Sequence, residues 1–117
     1  MRRKSDSLGR LYVVYHEANE RHFAGLLPAL PIRIEKAARP GKVETQAYLW
    51  CDDFTGQPRY IIMDERTALG ADWPTVRATL IHEVIHVWQA VQGRKVSHDA
   101  AFRAKAKELG ISERAVD

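Results

Sequence analysis

Along residues 76–91 the apolar side chains recur at helical spacing. At about 100° per residue, Val76, Leu80, Ile81, Val84, Ile85, Val87, Trp88 and Val91 fill one wide arc. Thr75, Thr79, His82, Glu83, His86 and Gln89 fall in the opposite window. The pattern predicts a central core helix with one polar face left open. Asp72-Trp73-Pro74 supplies an N-cap followed by a first-turn proline, and Gly93 is the natural stop. Upstream, Leu8, Leu11, Tyr12, Tyr15 and Phe23 predict an amphipathic helix over 8–24. Pro28 and Pro31 bracket a turn, and alternating Ile32 and Ile34 mark a half-buried strand within 30–36. Pro40-Gly41 is a turn, and 45–51 and 59–64 are β-like runs separated by the polar loop 52–58. Residues 66–72 then read as a link to the core helix. After Gly93, Arg94-Lys95-Val96-Ser97 reverses the chain into a last helix, with Ser97 as its expected N-cap and Asp99 in its first turn. Phe102, Ala106 and Leu109 give that helix a thin apolar stripe, and Gly110 ends it. The layout is α-β-β-β-α-α, an α+β class.

Composition changes this picture little. At 117 residues and 45% hydrophobic, the chain is expected to be a single domain over 1–117 with one core. A single cysteine, Cys51, excludes an internal disulfide and fits a reducing compartment. The start, Arg2-Arg3-Lys4, is like a signal peptide, but Gly9, Arg10, His16 and Glu17 break the run that follows. No apolar stretch approaches a membrane span, so a cytosolic protein without a membrane partner is expected. The net charge of +3 gathers in two basic groups. Arg2, Arg3, Lys4 and Arg10 form one; Arg94, Lys95, Arg103, Lys105, Lys107 and Arg114 form the other. They are candidates for DNA phosphate contact, although Asp99, Glu108 and Glu113 interleave with the second group as on a solvated surface. Trp50 and Trp73 read as core or cleft residues rather than base-stacking platforms. His16 and His22, six apart, fall on different helix faces and predict no second metal site.

The chemistry sits in His82-Glu83-Val84-Ile85-His86. Two histidines four apart on a helix lie about 40° apart around its axis, so both imidazoles can reach one metal ion. Glu83 borders the same face and can act as a general base on a water without being a ligand. A catalytic zinc site needs a third protein ligand and an open position for water. A metzincin extension would place glycine at 89 and histidine at 92, where the chain has Gln89 and Gln92, and no methionine follows for a Met-turn. A glutamate from a later helix would have to be Glu108 or Glu113. His98, at the start of the returning helix, is the better candidate.

At this point the chain resembles the SprT-like zinc metalloproteases, whose eukaryotic relative is Spartan. The matching residues are Thr79 through Gln89 around the HExxH motif, then Gly93, then His98-Asp99-Ala100-Ala101-Phe102. More loosely, Asn19-Glu20-Arg21-His22-Phe23 running into Gly25-Leu26-Leu27-Pro28 and Ile32-Arg33-Ile34 is similar to that family's opening helix, "LP" turn and first strand. The resemblance implies a minimal zincin fold, with a small three-stranded sheet packed on an N-terminal helix, a central HExxH helix and a C-terminal helix. It implies one Zn²⁺ on His82, His86 and His98, Glu83 as general base, and hydrolysis of peptide bonds in a protein or peptide substrate. In the better-known members that substrate is protein attached to DNA. Many members add a zinc ribbon after the protease domain; with one cysteine, no such ribbon is expected here. The substrate would lie along an edge strand, with 47–50 and 60–64 as the two candidates, and Tyr48 and Tyr60 are candidate oxyanion donors. The competing reading is a non-catalytic zinc-stabilised module that binds nucleic acid or a protein partner, with Cys51 closing the fourth position.

Overall fold

The computed structural model describes residues 1–42 and 44–111. Its elements are α1 (Lys4–His22), β1 (Ile32–Glu35), β2 (Ala47–Cys51), β3 (Pro58–Asp64), α2 (Glu65–Gly70), α3 (Trp73–Val91) and α4 (Ala100–Glu108). The fold is α+β. The sheet is mixed, with order β1-β3-β2. β1 runs parallel to β3, and β2 runs antiparallel to it with Ala47 opposite Met63 and Leu49 opposite Ile61.

Period-2 alternation decides which face of the sheet is buried. Ile32 and Ile34, Ile61 and Met63, and Ala47 and Leu49 all join the core, packed against α1 and α3. Their neighbours make the other face. There Tyr48 meets Trp50 edge-on, Trp50 stacks on Tyr60, and Arg33 lies 5.0 Å over the Tyr60 ring. The β1–β2 connection folds over part of this face: the Trp50 indole donates to the Ala38 carbonyl at 3.2 Å, and Arg39 lies over Tyr48.

Helix α3 runs through the middle. The Asp72 carboxylate accepts from the Thr75 N–H at 3.3 Å and the Thr75 hydroxyl at 2.7 Å, and these bonds hold its carboxyl below the usual range. Pro74 sits in the first turn, and Gly93, at φ +72°, takes the left-handed conformation just past the C-cap. Helix α4 packs back on α3.

Two elements ahead of α3 differ from the sequence expectation. Helix α1 begins at Lys4, one turn earlier than 8, because the chain ahead of it is anchored. The Arg2 guanidinium donates to the carbonyls of Ala68 and Ala71, and Ser7 donates to Ala68. The expected link over 66–72 contains α2. Asp64, itself buried, caps it by accepting from the Arg66 N–H at 2.7 Å. A helix of six residues is too short to write a 3.6-residue pattern, so periodicity misses it.

The turn after α1 depends on one buried amide. Asn19 donates to the Leu27 carbonyl and accepts from the Leu27 N–H, both at 3.0 Å. Asn19→Leu is expected to cost about 1–3 kcal/mol, since both Leu27 groups would lose their partners out of water. The shift in the urea midpoint, at unchanged slope, measures it.

Candidate metal centre

His82, Glu83 and His86 are carried on the middle of α3. Sequence predicts an open polar face there, but Thr79, His82, Glu83, His86 and Gln89 are each 5% exposed or less. Helical periodicity reports that a face is polar; what covers it depends on elements distant in sequence. Here β2 packs along α3, and the returning chain closes the rest.

That return carries the third histidine. The expected N-cap, Ser97, is replaced by Asp99, whose carboxylate accepts from the Phe102 N–H at 2.9 Å and lies below the usual range chiefly for that reason. His98 therefore precedes the helix and sits in the loop. Arg94 pairs with Asp99 at 3.1 Å, and Arg103 donates to the His98 carbonyl at 2.7 Å, fixing the loop on both sides.

The three imidazoles converge. His82 Nε2 and His98 Nε2 are 3.0 Å apart, and one ring nitrogen from each of His82, His86 and His98 lies within 4.8 Å of the others. Two ligands of a tetrahedral zinc at about 2.0–2.1 Å would be separated by roughly 3.4 Å, so the cluster is of the right size to hold a metal ion. Imidazole donors suit zinc, copper, iron or nickel rather than magnesium or calcium. Phe102 forms the apolar wall, its ring centroid 4.8–4.9 Å from each of the three histidine rings. His86 Nδ1 lies 2.8 Å from Gln89 Oε1.

Glu83 and His86 open onto a cleft of about 450 Å³, walled by β2 residues Tyr48, Leu49 and Trp50 on one side and by Arg94 and Val96 on the other. β3 is the central strand of the sheet, and β2 is an edge strand that borders this cleft. Both tyrosines belong to the aromatic row on the outward face, but only Tyr48 is among the residues that line the cleft.

The chain matches the SprT-like family model over residues 11–116. It belongs to the SprT-like family. No curated protein and no solved structure matches it.

In this SprT-like chain the other candidates go elsewhere. Cys51 lines the cleft, but among the described residues the metal-binding group contains the three histidines alone, so it closes no fourth position. Glu108 is paired with His22 and Lys105. Glu113 and Arg114 lie outside the described residues. Several of the basic residues serve the fold: Arg2 and Arg103 bind backbone carbonyls, Arg10 stacks 3.7 Å over Trp73, and Lys105 donates to the His22 carbonyl. No helix among the described residues is long and apolar enough to cross a membrane. One residue at the cluster carries little signal in the sequence: Gln89 reads only as part of a polar arc.

Proposed function

We propose that this SprT-like chain is a zinc-dependent endopeptidase. The observation that carries the reading is the position of Glu83: buried, between two of three convergent histidines, and on the wall of a cleft bordered by an edge strand. A closed, purely structural metal site has no use for a carboxylate there.

His82, His86 and His98 would hold the ion. Zinc bound to three neutral imidazoles makes a water acidic and polarises a carbonyl. The chain's own groups do the rest. The outer edge of β2 would take an extended peptide by strand addition, bringing a scissile bond beside Glu83. Glu83 accepts a proton from the attacking water and returns it to the leaving amine. Tyr48, among the residues that line this cleft, is the candidate donor to the oxyanion.

Metal analysis and casein cleavage test the reading together. The protein is expected to carry zinc near one equivalent. Chelation should abolish cleavage, and zinc, rather than magnesium or calcium, should restore it. Bound zinc with no cleavage of any protein substrate would instead favour a zinc-stabilised binding module.

A further inference from the structure

Gln89 is a large polar side chain on α3 that the proposed chemistry does not use, and it is completely buried. Burying a carboxamide is costly unless each of its groups is bonded. Here every group is accounted for, and the bonds run to the metal cluster. Oε1 meets His86 Nδ1 at 2.8 Å and the Ser97 N–H at 3.3 Å. Nε2 donates to the Ser97 carbonyl at 2.9 Å and lies 3.4 Å from Asp99 Oδ1.

The backbone of Ser97 fixes which way the amide points. Its carbonyl can only accept, so it must face the Gln89 nitrogen. Its N–H can only donate, so it must face the Gln89 oxygen. The oxygen is then the atom presented to His86. Because that oxygen is an acceptor, His86 Nδ1 must carry the hydrogen. Nε2 is left with its lone pair toward the cluster. The tautomer of one histidine on α3 is thus dictated by a backbone amide in the loop beyond the helix.

The same side chain touches the residues on both sides of His98. Ser97 and Asp99 flank it, and Asp99 also caps α4. Gln89 sits one helical turn past His86, on the same face. We infer that Gln89 is the positioning residue of this centre: it holds His86 in the Nδ1–H form and ties the His98 loop to α3, so that ligands from two elements meet at one point. This rests on the metal reading above. Outer-shell partners of metal-bound histidines have this effect generally, and losing one costs about 10–100-fold in metal affinity.

Gln89→Met keeps the length and removes the polar atoms; Gln89→Glu keeps an acceptor for His86. Long-range ¹H–¹⁵N correlation on the metal-free protein, at a pH where the rings are neutral, reads the His86 tautomer. Competition with a chromophoric chelator reads zinc affinity. The wild type is expected to show His86 as Nδ1–H. The methionine variant is expected to move His86 toward Nε2–H and to bind zinc about 10–100-fold more weakly. The glutamate variant should restore the Nδ1–H form. Wild-type His86 protonated on Nε2 would overturn the inference without recourse to any variant. So would a methionine variant that loses affinity with its tautomer unchanged, since that is the signature of a packing role alone. If the wild type binds no zinc, the metal reading falls by itself, and the tautomer comparison still decides whether Gln89 holds His86.

Discussion

Glu83→Gln is expected to leave metal content near one equivalent while casein cleavage falls by about 10²–10⁴-fold, the usual contribution of a positioned general base. Glutamine matches glutamate in shape, so the packing of a residue only 1% exposed is preserved. What it lacks is the ability to take a proton. The three imidazoles are unaffected, because none of the ligand positions is changed. Single-turnover cleavage with parallel metal analysis separates the outcomes. Loss of cleavage with metal retained assigns the proton transfer to Glu83. Unchanged cleavage would remove it from the mechanism. Loss of both would mean that the substitution disturbed the helix.

Phe102→Ala is expected to produce the largest stability loss of any single change near the site. Its side chain is fully buried, and its ring lies against all three histidines at once. Truncating a buried phenylalanine costs about 3–5 kcal/mol, against a total of roughly 5–15 kcal/mol for a domain. For a chain of this size the melting temperature should fall on the order of 10–20 °C. The effect also reaches function, since Phe102 opens α4 and walls the pocket that His98 enters. Excess zinc should recover part of the loss by mass action, about 2.7 kcal/mol at a hundred times the dissociation constant. Phe102→Leu, which keeps most of the volume, should lose much less. Thermal melts with and without zinc distinguish the two effects. An alanine variant as stable as the wild type would mean that α4 contributes little to holding the centre.

Most of the fold was legible because its elements are long enough to display their period. Helix α3 shows its cap, its first-turn proline and its terminal glycine in one stretch of sequence, and the strands alternate cleanly. The misses share a cause. Helix α2 is too short for a period and is held by a side chain, Asp64, that reads as the end of a strand. The N-cap of α4 fell to Asp99 rather than Ser97, because the Ser97 backbone is committed to Gln89. That commitment depends on a residue eight positions away, which no local cap preference contains.

By itself, the sequence determined that His82 and His86 share a helix face with Glu83 beside them, since helical geometry alone places residues at that spacing. It also marked His98 as the third histidine. Tertiary structure decided the rest. It buried the polar face that periodicity left open, made β2 rather than β3 the strand bordering the cleft, set Phe102 against all three rings, and turned Gln89 from a polar surface position into the link between His86 and the His98 loop. The physical reason is that ligand spacing along one helix is a local property of the backbone. Burial, sheet order and hydrogen-bond orientation arise only when segments remote in the chain come into contact.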